Sequence, residues 1–240
     1  MFARPVLFAL TVAGVFAAGC AMHVDSRGNK ENHFDPRSLA KTEIDRVSDA
    51  NRVEVMASLR RIAEKLYRRN PAEWRKSGQP SLEVALERLF AGGVDFPELE
   101  GRREGAATLF ALGPNYHGDR VLGVMAGLLG MTYSAFENKD DFYLFDALNE
   151  QKLYNCARNF EIAVWKLSSA RNASGEPLLL SNELDRQHPN LSFEREFGRV
   201  IGLLDFMSRV MADKNGRTIT RVTQSLATAV FLPVGALGIK

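Results

Sequence analysis

The chain has 240 residues, 45% hydrophobic and 25% charged, the composition of a globular protein rather than a disordered or fibrous one. Its formal net charge is +2, and a balance this even excludes a general nucleic-acid binder. Two cysteines, Cys20 and Cys156, are too few for a disulfide framework, and no period suggests a solenoid.

The first nineteen residues read as a signal peptide. Arg4 supplies a short positive start, an apolar run follows from Val6 to Ala18, and small residues close the segment. The run is shorter than the ~20 residues a spanning helix needs. The closing Ala17-Ala18-Gly19-Cys20 resembles the lipobox of bacterial lipoproteins. The resemblance covers the leader alone, and Ala17 stands where that family usually has Leu. It implies that Cys20 becomes the first residue of the mature chain and carries lipid. Ordinary cleavage after Ala18, giving a secreted soluble protein, is the alternative, and an uncleaved anchor is a third reading. Ala21, rather than Asp, follows the cysteine, which in a Gram-negative host resembles the pattern sent to the periplasmic face of the outer membrane. With Cys20 acylated, Cys156 has no disulfide partner within the chain, and the core alone must hold the fold.

Residues 20–36 are polar and aperiodic and read as a flexible tether. About 16 such residues span roughly 22 Å as a coil and about 55 Å fully extended, which keeps the body close to the lipid surface. From residue 37 to 240 the pattern predicts one all-α, bundle-like domain of about seven helices. Ile44 and Val47 open the first stripe, and Val55, Leu59, Ile62 and Leu66 continue it until Asn70-Pro71. Pro71 suits the first position of a short turn carrying Trp74. Ser81 is a plausible N-cap for Leu82 to Ala91. Val94 to Gly105 reads as loop, and Ala106 to Leu112 as apolar helix.

Val121 to Phe136 holds sixteen consecutive uncharged residues and reads as a buried central helix, with a membrane-contacting segment as the alternative. Its Gly123, Gly127 and Gly130 do not make a phosphate loop, since no strand precedes them. Their spacing instead makes a ridge that lets another helix approach closely. Leu153, Cys156, Phe160, Ala163 and Leu167 form another stripe, and Phe193, Phe197, Val200, Leu204, Met207 and Met211 form the clearest. A last amphipathic helix is predicted through Ile219, Val222, Leu226 and Val230, with a packed or surface-lying tail after Pro233.

The chemistry-bearing residues give little. His23, His33, His117 and His188 show no i,i+3 or i,i+4 pair, so no metal site is expected; Asp119 reads instead as an acid at a helix N-terminus. No catalytic residue and no cofactor is expected. Cys156 lies on an apolar stripe and reads as core. Glu194 and Asp141 read as first-turn acids, and Asp140-Asp141 and Glu194/Glu196 do not share helix faces. Between Arg52 and Lys76 eight basic residues face three acids. Arg61, Lys65 and Arg68 fall on one flank, which reads either as solvated surface or as a contact for lipid headgroups, an anionic envelope polymer or an acidic partner.

The expectation is therefore a lipid-anchored envelope protein with a structural or binding role, attached to the membrane through its N-terminal lipid and holding a partner or envelope component there. Two alternatives stand beside it: a cell-envelope hydrolase using scattered carboxylates, and an accessory subunit of a membrane complex docked through Val121–Phe136.

Overall fold

The computed structural model describes residues 23–24, 30–31, 40–91, 93–182 and 190–235. The chain divides into two units, Met1–Lys41 and Thr42–Lys240. In the first, His23–Val24 pairs antiparallel with Lys30–Glu31; the leader and Cys20 lie outside the described residues. The second unit is helical, with α1 (Glu43–Arg69), α2 (Pro71–Lys76), α3 (Leu82–Phe90), α4 (Glu104–Ala111), α5 (Arg120–Ala135), α6 (Glu150–Ser169) and α7 (Ser192–Asn215). One 3₁₀ turn, Pro97–Leu99, interrupts the long connection before α4. The all-α expectation holds.

The helices start and stop where local chemistry dictates. Thr42 and Asp45 form a reciprocal capping box on α1, with the Asp45 amide donating to Thr42 Oγ1 at 3.2 Å and the Thr42 amide to Asp45 Oδ2 at 2.8 Å. Pro71 opens α2, and the Ser81 hydroxyl caps α3. Gly216 ends α7 in the left-handed conformation at φ 61°. The predicted stripes face one continuous core, in which Val55, Leu59, Ile62 and Leu66 of α1 meet Phe193, Phe197, Val200 and Leu204 of α7. Ile44 is only partly buried and Val47 is exposed, so the stripe on α1 begins later than its spacing suggests.

α5 is the centre. Of its sixteen residues only Tyr133 and Ser134 escape full burial. Its glycine ridge receives α4. A Cβ at Gly123 would come within 2.5 Å of Ala111 Cβ, and one at Gly127 within 2.5 Å of the Glu104 carbonyl. The two backbones thus approach more closely than any larger residue permits.

A helix buried at its first turn must find partners for its leading amides inside the protein. Asp119 caps α5, accepting from Leu122 N at 2.9 Å, while Glu73 of α2 accepts from Arg120 N at 2.8 Å. Tyr67 and Ser77 donate to the other oxygen of Asp119 at 3.0 and 3.2 Å. Burial, the largest influence, pushes the Asp119 carboxyl above the usual carboxylate range, against the hydrogen bonds that favour its charge. The Arg120 guanidinium turns back to the carbonyls of Ala111 and Gly113 at 2.6 and 2.8 Å. It therefore closes the C-terminal end of α4 with a positive charge, where the helix dipole favours one.

Residues 217–235 are not helical, which corrects the expected helix through Val222 and Val230. The run Thr218, Ile219, Thr220, Val222, Thr223 is β-branched and a poor helix former, and the segment lies instead as an extended strap along α6. Side-chain amides hold it. Gln151 donates to Thr220 O at 3.0 Å and accepts from Thr220 N at 2.8 Å. Asn159 does the same to Leu232 at 2.8 and 2.7 Å, and Asn155 donates to Pro233 O at 2.8 Å. Gln151, Asn155 and Asn159 recur every four residues and so form one row on α6. Within the strap Gln224 pairs with both groups of Val230. Elsewhere Asn70 pairs with both groups of Leu180. Apart from Asn155, each of these amides serves the N–H and C=O of one residue as a neighbouring strand would, supplying a donor and an acceptor together.

Glycine substitutions should separate the close approach from ordinary helix propensity. Gly127→Ala is expected to destabilise by about 1–3 kcal/mol through overpacking, despite the better propensity of Ala. Gly202→Ala in α7, where an added Cβ meets nothing within 4 Å, should stabilise by up to about 1 kcal/mol. Thermal unfolding reads both, at about 2–4 °C per kcal/mol for a chain of this size.

Candidate functional site

The structure gives each residue of the expected basic flank its own partners. Arg61 Nε donates to Glu196 of α7 at 3.0 Å and Arg61 also reaches Ser58 Oγ at 2.8 Å. Lys65 Nζ lies 3.4 Å from the Ser192 carbonyl, and Arg68 is bonded to Glu64 one turn earlier. Arg61 and Lys65 thus lie along the seam between α1 and α7, and Arg68 is the most exposed of the three.

A different cationic cluster is assembled by the fold. Arg158 of α6, Arg209 of α7 and Arg221 of the strap line one cavity of about 170 Å³ with Tyr154 and Asp205. Arg158 lies over the Tyr154 ring at 5.1 Å and is bonded to Asp205 at 2.7 Å, while its buried Nε has no partner. No local spacing announces this group, because each arginine comes from a different element.

A cleft of about 570 Å³ opens where the start of α4 meets the end of α5 and the end of the strap. Asp95, Glu104 and Asp140 line it together with Arg103, Tyr133 and Ser134. Glu104 is the centre. It accepts from Ser134 Oγ at 2.6 Å and from Gly235 N at 3.5 Å, and it opens α4 at φ 50°, in the left-handed region that costs a side-chain-bearing residue energy. Asn138, also on the rim, has φ 55°. Backbone strain of this kind concentrates at functional sites. Asp95 is paired with Arg103 at 2.6 Å, and Asp140 with Arg52. Burial raises the Tyr133 phenol, which keeps it a neutral O–H donor at the cleft. Carboxylate acceptors, hydroxyl donors and an aromatic ring around one opening suit an uncharged, hydroxyl-bearing ligand.

The remaining predicted residues fall as follows. Asp140 reaches the cleft, whereas Asp141 starts no helix: α6 begins at Glu150 under an Asn149 cap that accepts from Gln151 N and Lys152 N. The Phe142 amide is taken by the Asp49 carboxylate at 2.9 Å, which holds the chain there as loop. Glu194 does sit in the first turn of α7. Cys156 is fully buried, and burial pushes its thiol well above the ordinary range. His117 is exposed. Among the described residues, no group of three or more His, Cys, Asp or Glu could hold a metal ion, and no helix is long and apolar enough to cross a membrane. No known protein family, curated protein or solved structure matches the chain.

The strain at Glu104 has a direct test. At an ordinary helical position Ala is more stable than Gly by about 1 kcal/mol. At residue 104 the order should reverse, with Glu104→Gly more stable than Glu104→Ala by about 1 kcal/mol, since Gly alone enters the left-handed region freely. Denaturant unfolding of the two variants measures the difference.

Proposed function

We propose that this is a lipid-anchored protein of the bacterial envelope with a structural or binding role, held at the membrane by lipid on Cys20 and presenting its helical body to a partner or envelope component. In a Gram-negative host its place is the periplasmic face of the outer membrane. The single observation that carries the reading is Ala17-Ala18-Gly19-Cys20 directly after an apolar leader. The body supports it in a second way: Val121–Phe136 lies within the described core apart from Tyr133 and Ser134, which leaves little of it for docking to a membrane neighbour. Partners of two kinds fit the surface, an anionic envelope polymer at Arg158, Arg209 and Arg221, and an envelope protein elsewhere. Cys20→Ser should move the protein from the membrane fraction to the soluble fraction. A variant whose mass shows that the leader is gone, and that still stays in the membrane through salt and carbonate washing, overturns the anchor.

A second reading, a cell-envelope hydrolase, draws on the cleft that gathers Asp95, Glu104 and Asp140. It requires that the wild-type protein release soluble fragments from purified cell-wall polymer and that Glu104→Gln lower the rate at least about a hundredfold, the scale of one general acid or base. Wild type without release leaves the binding reading alone.

A further inference from the structure

The row of amides on α6 that holds the strap has a second row beside it. Tyr154, Arg158 and Ile162 recur every four residues, and the strap crosses them, with the Val222 amide donating to the Tyr154 hydroxyl at 3.3 Å. Two cavities open there. Tyr154, Arg158 and Arg221 line both, so the two adjoin. The first, of about 170 Å³, adds Asp205, Ser208 and Arg209 of α7. The second, of about 300 Å³, adds Ile162, Val222, Leu226, Ala229 and Leu232.

The acids of this site do not cancel its cations. Arg158 is bonded to both nearby carboxylates, Glu161 at 3.2 Å and Asp205 at 2.7 Å, so two acids share one guanidinium. Arg209 and Arg221 are exposed, and among the described residues neither has a hydrogen bond or an ion pair. Burial, the largest influence, raises the Glu161 carboxyl, which favours its neutral form and tips the local balance further toward positive. The Tyr154 oxygen accepts from Val222, which leaves the phenol proton to donate. A free guanidinium can hold a phosphate through two parallel N–H bonds. A phosphate also offers three oxygens to donors from separate directions, and here α6, α7 and the strap each supply one arginine.

The second cavity is preformed. Gln224 bonds both groups of Val230, and the Thr228 amide donates to Ser225 O at 3.0 Å, which fixes the loop that carries Leu226. Ile162 and Ala229 are buried, while Val222 and Leu226 stay 38% and 40% exposed. Apolar side chains left partly open to water beside unpaired cations suit a ligand that joins hydrocarbon to negative charge. We propose that the adjoining cavities hold one molecule of a phosphate-bearing lipid, its phosphate against Arg209 and Arg221 and its hydrocarbon against Val222 and Leu226. This rests on the reading that these arginines meet an anionic envelope component, and it narrows that component to an amphiphile.

The test uses the full chain carrying Cys20→Ser, so that its own lipid cannot compete. It is titrated calorimetrically with inorganic phosphate and with butyl, hexyl and octyl phosphate, each below its critical micelle concentration. Each step of two methylenes should tighten binding about tenfold. Arg209→Gln combined with Arg221→Gln should weaken octyl phosphate at least about tenfold. Leu226→Asn should weaken octyl phosphate about tenfold and leave inorganic phosphate unchanged. All three positions are exposed, circular dichroism checks that each variant is folded, and the chain-length series on the parent needs no variant. An affinity that does not change with chain length overturns the proposal, as does uncharged octyl glucoside binding as tightly as octyl phosphate. Inorganic polyphosphate separates the two readings. A parent that binds polyphosphate but shows no chain-length effect keeps an anionic polymer at these arginines and loses the lipid, and one that binds neither loses both.

Discussion

The structure depends on a helix that is buried at the end where a helix is most polar. α5 carries no charge beyond Arg120, and its first turn lies under α2 and the end of α1. Unsatisfied amides there would cost about 1–3 kcal/mol each. Asp119 and Glu73 remove that cost, and each is in turn held by Tyr67, Ser77 or Lys76. One consequence is architectural. α2 has only six residues, too few to be stable alone, and its place is fixed because it must deliver Glu73. The same requirement fixes the end of α4, whose carbonyls receive Arg120.

The opposite end of α5 shows how packing creates the cleft. Gly127 and Gly130 draw the first residues of α4 onto α5, so closely that the Glu104 carbonyl occupies space a side chain would need. The chain enters α4 through a left-handed residue there, and that bend aims the Glu104 carboxylate at Ser134 and Gly235. The strained conformation and the polar cleft are thus two results of one close helix contact.

Much of this was legible in the sequence. The apolar stripes of α1, α6 and α7, the cap at Ser81, the acid Asp119 at the start of α5 and the glycine ridge all follow from local spacing, and local spacing is what sets helices. The parts that were not legible depend on residues far apart. Val222 to Val230 has the apolar spacing of a helix, but the backbone on either side of it, at Thr220 and Leu232, is taken by Gln151 and Asn159 across 69 and 73 residues. Arg61 looked like free surface because Glu196, which binds it, lies 135 residues away. The cleft carboxylates Asp95, Glu104 and Asp140 have no motif for the same reason: three connections bring them together.

The strap also bears on the order in which the molecule assembles. α6 and α7 can pack as neighbours in sequence, but the rungs from Gln151 and Asn159 wait for the last stretch of the fold to return, and contacts this distant form late. Before that happens α6 shows the solvent a row of amides, beside the apolar seats of Ala229, Phe231 and Val234. Late intermediates usually aggregate through bare hydrophobic surface. Here the unfinished seam carries polar amides among its apolar seats, which limits the bare hydrophobic surface a nearly folded molecule shows. The final docking step brings in Gly235 and finishes the wall of the Glu104 cleft, so ligand binding there would report that the whole chain, and not only its bundle, has reached the native state.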